Sequence, residues 1–271
     1  MAGQVSEDGD RDRLRRTFDA SAEGYHTARP DYPDRLFDDL VRLATLSPGA
    51  SVLEIGCGTG KATIPMARRG HRVTCLELGE RLARQALKNL AEFPDVRVIT
   101  GSFDDWHPQG QLYDLVYAAT AWHWLEPATR YTRAWEALSP GGHLAFWSAL
   151  HVFPRDGDPF FRDLQSVYDE IGEGRPTDSA SPRPGELPDQ AEEIEESGLF
   201  RSPEVLQYDW EVRYDAESYI ALLRTFSGHI AMAEWQQERL FEAIRARVAQ
   251  RPERVVRRHW GAALHVAQAL P

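Results

Sequence analysis

Short apolar runs alternate with amphipathic stretches through the first half of the chain. The runs are rich in Val, Ile, Leu and aromatic residues, as strands buried on both faces should be, and they read ASVLEIG, HRVTCLE, VRVITG, YDLVYAA and GHLAFWS. Apolar residues recur at helical spacing between the runs, at 61–69, 80–91 and 127–138, and before the first run, at 11–22 and 33–43. This alternation predicts a doubly wound, Rossmann-like parallel sheet with helices on both faces.

The second half of the chain follows a different pattern. A Pro- and Ser-rich stretch at 176–188 indicates a loop or lid, and strands are predicted at 204–214 and 254–267, with helices at 216–225 and 234–249 between them. We therefore predict an α/β fold with a seven-stranded, mostly parallel sheet. We expect one domain made of an N-terminal helical lid (1–32), a core (33–148) and a C-terminal half of the sheet (149–271) with a helical lid insertion at about 214–250.

Composition narrows the class of partner. The formal net charge is -11, from 42 acidic and 31 basic residues, so the chain is not suited to neutralising nucleic-acid phosphates, and a small molecule is the expected partner. Cys57 and Cys75 lack disulfide or metal-ligand spacing, so no metal is expected. The sequence contains neither an apolar signal region nor a run of about 18 apolar residues. These features predict a cytoplasmic monomer or homodimer without membrane contact.

A glycine-rich loop, VLEIGCGTGKAT, follows the first predicted strand. It is not a P-loop, because the first glycine of that motif would fall on Ile55. It is not a dinucleotide fingerprint either, because the third glycine would fall on Lys61 or Thr63. What remains is a strand that ends in a carboxylate and continues into alternating glycines: Glu54, Gly56, Gly58 and Gly60.

The second strand ends in Glu77, 19 residues after Gly58. A carboxylate at this place can accept both hydroxyls of a ribose, so we expect a nucleoside without a 2' phosphate. Glu54 adds a negative charge suited to an ammonium group or a hydrated cation. Adenosine attached to a cationic amino acid satisfies these requirements together.

Five motifs in this order resemble class I S-adenosylmethionine-dependent methyltransferases: VLEIGCGTG, CLELG, GSFDDW, YDLVYAATAWHWL and LSPGGHLAFW. The resemblance covers residues 18–148 and implies S-adenosylmethionine as cofactor and S-adenosylhomocysteine as product, so that 33–148 is the cofactor-binding core. It implies that the three glycines line the methionine end, that Glu77 holds the ribose, and that Ser102 and Phe103 flank the adenine. Other cofactor contacts implied are Cys57, Leu78, Ala118 and Ala119. Ser102 departs from the family, which often has Asp at this position.

Two further resemblances concern the lid and the acceptor. YHTARPDYP resembles a subset of these enzymes in which Tyr and Arg close over the cofactor, which assigns this role to Tyr25 and to Arg29, the latter pairing with the methionine carboxylate. AWHWL, GGHLAFW and YIALLRTFSGH are similar to the trans-aconitate methyltransferase group. In that interpretation Arg224 or His229 faces the acceptor.

Candidate acceptor-side residues have structural alternatives. Trp122, Trp124, Trp147 and Arg224 are candidates for the acceptor wall, and His123 and His229 are candidate general bases. Aromatic residues after the fourth strand can equally pack the following helix, and the histidines can be ordinary polar contacts.

The predicted function is methyl transfer to a small-molecule acceptor, as O-methylation of a carboxylate or hydroxyl of a metabolite or natural product. A sulfonium methyl is already activated, so in-line alignment and exclusion of water are the main requirements. Three alternatives stay open: N- or C-methylation, a protein that binds the cofactor without methylating, and an NAD-dependent oxidoreductase, which the glycine spacing disfavours.

Overall fold

A computed structural model describes residues 22–174 and 182–271. The helix predicted at 11–22 and the first part of the loop predicted at 176–188 lie outside the described residues, apart from Ala22. The strands are β1 (Ser51–Ile55), β2 (Arg72–Glu77), β3 (Val96–Thr100), β4 (Tyr113–Ala119), β5 (Leu138–Trp147), β6 (Leu150–His151), β7 (Glu204–Tyr214) and β8 (Val256–Gln268).

These eight strands form one sheet. Its order is β3-β2-β1-β4-β5-β8, with β6 and β7 also paired to β8. Strands β1 to β5 are parallel, and β8 is antiparallel to β5, β6 and β7. The predicted Rossmann-like, mostly parallel sheet is confirmed. The strand count differs by β6, whose two residues pair with Gly261 and Trp260 and are too few to produce a sequence pattern.

Six predicted helices are present, at 33–43, 61–69, 80–91, 127–138, 216–225 and 234–249, most of them with shorter bounds, and the short helices at 22–28, 160–163, 165–170 and 227–231 were not predicted. The helices are α1 (Ala22–Ala28), α2 (Asp34–Leu43), α3 (Thr63–Arg68), α4 (Glu80–Asn89), α5 (Arg130–Ala137), α6 (Phe160–Asp163), α7 (Gln165–Glu170), α8 (Ala191–Glu196), α9 (Ala216–Leu223), α10 (Ser227–Ala231) and α11 (Glu234–Ala249). Helix α3 starts late because the left-handed glycine loop continues to Gly60. Helix α5 starts late because the Thr129 N–H bonds to the Glu126 carbonyl in a turn.

Both faces of the sheet are covered by helices. On one face, Val52 and Tyr117 pack with Leu36 of α2 and Met66 of α3. On the other face, neighbouring strand residues pack with α5: Leu53, Val116, Tyr131 and Ala134. Adjacent residues of one strand therefore enter different cores, which is why the strands read as continuous apolar runs rather than as alternating ones.

A third hydrophobic cluster packs against the long β7–β8 pair. Trp260 of β8 is buried there with Tyr219 and Leu222 of α9 and Ile244 of α11. Asp215 is the N-cap residue of α9. Its carboxylate accepts a 2.7 Å hydrogen bond from the Ser218 N–H and so satisfies a free donor of the first turn. The cluster places the segment after α9 beside the carboxyl ends of the parallel strands.

None of the helices in the described parts of the chain is long and apolar enough to cross a membrane.

Candidate functional site

The carboxyl ends of the parallel strands open on a cavity of about 610 Å³, a size typical of small-molecule sites. A second cavity of about 90 Å³ adjoins it at the glycine loop. The residues common to both walls are Tyr25, Arg29, Gly56, Gly58, Thr120 and Ala149. The two cavities therefore form one site with a narrow extension beside the loop.

Gly56, Gly58 and Gly60 have φ values of +67°, +57° and +91°, which L side chains rarely adopt. A Cβ on Gly56 would lie 2.7 Å from the Ala121 side chain, and one on Gly60 would lie 3.2 Å from Leu90. A Cβ on Gly58 would have the Cε1 atom of Tyr25 as its nearest neighbour, 4.0 Å away. The first and third glycines therefore allow close packing, whereas the second leaves space in the cavity for a ligand.

Glu77 fixes the loop from the end of β2. One carboxylate oxygen accepts a 2.7 Å hydrogen bond from the Gly58 N–H, and the other accepts a 2.8 Å bond from the Gly79 N–H. The side chain is buried and lines the large cavity. Each carboxylate oxygen has a second lone pair, so the held carboxylate can also accept ribose hydroxyls.

Glu54 lies beneath the loop and lines the small cavity. One of its oxygens accepts hydrogen bonds from the Thr63 hydroxyl at 2.5 Å and the Tyr117 hydroxyl at 2.7 Å. Burial raises the pKa of Glu54 to about 7, and the two hydroxyl donors offset only part of that rise. Glu54 therefore exchanges its proton near neutral pH, at the place where a cofactor ammonium is expected.

Arg29 lines both cavities beside the glycine loop. Its guanidinium lies 4.2 Å from the ring centroid of Phe226 and 5.2 Å from that of Tyr25. One terminal nitrogen donates a 2.8 Å bond to the Thr225 carbonyl. Its Nε is buried without a hydrogen-bond partner among residues 22–174 and 182–271. The segment before the sheet and the segment after α9 therefore meet over the glycine loop, with a guanidinium that retains donor capacity for an anion.

Thr120 is a site residue that sequence analysis missed. It has φ +57°, a strained conformation for a β-branched residue, and it lines both cavities. Its hydroxyl is 2.8 Å from the Tyr32 hydroxyl and accepts a 3.1 Å bond from the Ala149 N–H. Its own N–H bonds to the Trp147 carbonyl at 2.7 Å. These bonds join the ends of β4 and β5, and no sequence feature indicates them.

Ser102, Phe103 and Leu78, which the resemblance assigns to the adenine, line the large cavity. The Ser102 hydroxyl accepts a 3.2 Å bond from the Asp104 N–H, and Phe103 stacks on Trp106 with ring centroids 6.5 Å apart. Asp104 also lines the cavity and was missed. It stands in the GSFDDW motif, two residues after the position where the family often has Asp, so the motif carried this information.

Three residues expected near the acceptor have other positions. Trp122 is buried against Phe146, with centroids 4.9 Å apart, because its ring turns into the core under β5. Arg224 is exposed and stacks on Phe241 at 5.0 Å. His229 bonds to the Tyr168 hydroxyl at 2.8 Å, and burial lowers its pKa to about 4. Packing within the helical layer orients these last two away from the described cavity walls.

Most of the other predicted site residues line a cavity, and two are buried beneath the loop and the sheet. Trp124, Trp147 and His123 line the large cavity, and Cys57 and Ala119 line the small one. His123 is exposed to solvent as a whole residue, but the packing around its ring, followed by the charge of Arg130, lowers its pKa below 6.5 and favours the neutral imidazole at pH 7. Gly60 and Ala118 are buried supports of the loop and sheet in the described structure rather than wall residues.

His265 of β8 is a third residue that sequence analysis missed. It lines the large cavity, stacks on Phe146 with centroids 4.9 Å apart, and accepts a 2.9 Å hydrogen bond at Nε2 from the Gln190 N–H. No group of three or more His, Cys, Asp or Glu within the described ranges could hold a metal ion.

Comparisons with known sequences agree with this geometry. Residues 52–142 match the family model described as Methyltransferase domain. An uncharacterized methyltransferase of Mycobacterium tuberculosis is 30% identical over 156 residues, which cover 53% of this chain and 61% of the relative. The trans-aconitate 2-methyltransferase of Deinococcus radiodurans is 35% identical over 108 residues, covering 40% of this chain and 41% of the relative. The chain thus spans less than two thirds of the length of these curated relatives.

Solved structures share the fold. A protein from Anaeromyxobacter dehalogenans assigned as a type II methyltransferase has a TM-score of 0.60 at 23% identity, covering 90% of this chain and 99% of that chain. The Haemonchus contortus phosphoethanolamine N-methyltransferase 2, in complex with S-adenosyl-L-methionine, has a TM-score of 0.53 at 16% identity, covering 95% and 59%. Residues 52–142 therefore match a methyltransferase domain, and over this part of its length the chain is similar to known methyltransferases.

Proposed function

We propose that this protein transfers a methyl group from S-adenosylmethionine to an oxygen atom of a small-molecule acceptor. The observation that carries the proposal is the Glu77 carboxylate, held by two backbone N–H groups beside the open space above Gly58. A fixed carboxylate next to a glycine whose Cβ position has a single neighbour, Tyr25 Cε1 at 4.0 Å, suits a ribose attached to an amino-acid chain.

The residues present fit the cofactor along its whole length. In this proposal the ribose hydroxyls bind Glu77, and the adenine lies by Leu78 and Phe103 in the large cavity. The methionine end lies over Gly58, where Arg29 binds its carboxylate and Glu54 faces its ammonium group. The cofactor supplies a methyl group that is already activated by its sulfonium.

The protein's own part in the reaction is positioning, exclusion of water and removal of one proton. Tyr25, Arg29 and Phe226 cover the methionine end and exclude water from it. His123 is neutral at pH 7 and lines the same cavity, so it can accept the proton of an acceptor hydroxyl. We propose that residues 22–32 and the α9–α10 segment form the described part of a lid over the site.

The test of this function is direct. Purified protein is incubated with S-adenosylmethionine and a panel of phenols, aliphatic alcohols and carboxylic acids, and products are followed by mass spectrometry. A gain of one methyl group, with S-adenosylhomocysteine formed in equal amount, is expected for an oxygen acceptor. Calorimetry is expected to show one S-adenosylhomocysteine bound per chain. Absence of binding would contradict the proposal for the whole site.

Gly58→Val is expected to weaken S-adenosylhomocysteine binding at least tenfold, because the side chain enters the space above the loop. The matched control is Gly70→Val, since Gly70 also has a positive φ (+79°) and open space around it. Both variants carry backbone strain of about 1–2 kcal/mol. Calorimetry and thermal melting separate the effects: equal losses of affinity in both variants would refute the role of Gly58.

Glu77→Ala is expected to raise the dissociation constant of S-adenosylhomocysteine by roughly 10- to 150-fold, the equivalent of about 1.5–3 kcal/mol for bonds to a charged group. The control is Glu80→Ala, which removes a neighbouring carboxylate that is exposed on α4. Calorimetric titration with S-adenosylhomocysteine measures the dissociation constant of each variant. Parent-like affinity in Glu77→Ala would show that the ribose binds elsewhere.

Affinity for S-adenosylhomocysteine is expected to rise between pH 5.5 and about 7 and then to level off. In the free protein the pKa of Glu54 is about 7, and a cofactor ammonium beside it would lower that pKa, so binding releases a proton below pH 7. Among the titratable groups around Glu54, Tyr117 and Cys57 have raised pKa values and stay protonated in this range. Glu54→Gln should flatten the profile in calorimetry across these pH values; an unchanged slope would assign it to another group.

A further inference from the structure

One end of the large cavity is built from residues that lie far apart in sequence and outside the cofactor motifs. We call it the acceptor end, and it consists of the end of β5 and the following loop (146–150), Leu187, Pro188, Gln190, Phe226, Ser227, Ala263 and His265. From its walls we infer that the methyl acceptor is an uncharged, largely apolar molecule that carries a hydroxyl group, rather than a carboxylate. This inference rests on the proposed methyltransferase function.

The charged side chains in the described wall of the cavity are Arg29, Glu77 and Asp104. Glu77 is bound to the glycine loop, and Asp104 lies on the adenine side, where its carboxylate accepts a 3.3 Å bond from the Glu126 N–H. Arg29 also lines the small cavity beside Gly58, which places it at the methionine end. Once the methionine carboxylate is bound there, the described acceptor end has no further cation for an acceptor anion.

The polar groups of the acceptor end are neutral. They are the hydroxyls of Ser148 and Ser227, the amide of Gln190 and the imidazole of His265, whose pKa is lowered by burial. These groups can donate to and accept from a hydroxyl or carbonyl. They match an acceptor that has a few hydrogen-bonding atoms and no net charge.

Apolar groups form the rest of this end: Trp147, Leu150, Leu187, Pro188, Phe226 and Ala263. An ionised carboxylate that leaves water for such a surface without a cation loses several kcal/mol of solvation. The net charge of -11 adds a repulsion that acts on any polyanion approaching the molecule. Both effects favour a neutral acceptor.

The inferred neutral acceptor differs from the substrate for which one relative is named. The relative from Deinococcus radiodurans is named for trans-aconitate, which is a tricarboxylate. The cation that sequence analysis expected for an acceptor carboxylate, Arg224, is exposed and stacked on Phe241. The similarity to that relative therefore concerns the cofactor motifs, and the acceptor chemistry differs.

The experiment compares two fluorescent hydroxynaphthalenes that differ by one carboxylate. Protein saturated with S-adenosylhomocysteine is titrated with 2-naphthol and with 6-hydroxy-2-naphthoate, and trans-aconitate is tested as a competitor. We expect 2-naphthol to bind at least about tenfold more tightly than 6-hydroxy-2-naphthoate, and trans-aconitate not to displace it. Equal or tighter binding of the carboxylate, displacement by trans-aconitate, or binding of neither naphthalene would overturn the inference.

A charge introduced at the mouth of the acceptor end provides the matched control. Leu150 is 42% exposed and lines the cavity, whereas Leu112 is 44% exposed and precedes β4 at the opposite end of the sheet. Leu150→Asp is expected to weaken 2-naphthol binding about fivefold or more while leaving S-adenosylhomocysteine binding unchanged, and Leu112→Asp should change neither. Equal effects of the two variants would place the naphthol elsewhere and overturn the inference.

The same titrations distinguish a failure of the proposed function from a failure of the neutral-acceptor inference. Protein that fails to bind S-adenosylhomocysteine contradicts the proposed function itself. Protein that binds S-adenosylhomocysteine normally but prefers the carboxylate contradicts the neutral acceptor alone.

Discussion

The hydrogen bonds from Gly58 and Gly79 to the Glu77 carboxylate hold the ends of β1 and β2 together, and the cofactor end of the site depends on them. The Gly56 and Cys57 N–H groups also bond to the Leu76 carbonyl, at 2.7 and 3.3 Å. The loop is therefore tied to β2 at successive residues. This tie requires left-handed backbone at the glycines, and it leaves the space above Gly58 open.

The buried carboxyl beneath that loop has a different environment. Glu54 is held by hydroxyl donors, not by backbone N–H groups, and burial brings its pKa to about 7. The charge of Glu77 contributes to this rise. In the proposed function, a cofactor ammonium beside Glu54 would offset both the burial and the repulsion.

The sequence predicts most of the fold because its strands are buried on both faces and its helices are amphipathic. The β7 strand and α11 were predicted with the bounds they have, whereas two-residue β6 gives no pattern. The residues predicted to bind the cofactor stand in short motifs directly after strands, which is why the sequence could predict that Gly58, Glu77 and Phe103 line one cavity. Thr120 and His265 were not predicted, because one depends on a strained backbone and the other on β8 returning beside β5. Arg224 was misplaced because helix packing decides which side of α9 faces the cavity.

Two kinds of chain segment thus build the two ends of one cavity. The cofactor end uses loops that the parallel sheet fixes, and each substitution there disturbs a hydrogen bond or a left-handed glycine. The acceptor end uses side chains carried by the β7–β8 layer, where Phe226 stacks on Trp260 with ring centroids 6.4 Å apart. Contact between Arg29 and Phe226 joins the two ends. In the proposed function, the acceptor end shares no backbone hydrogen bond with the glycine loop among those described, so we expect substitutions such as those at Leu150 to affect the acceptor and not the cofactor loop.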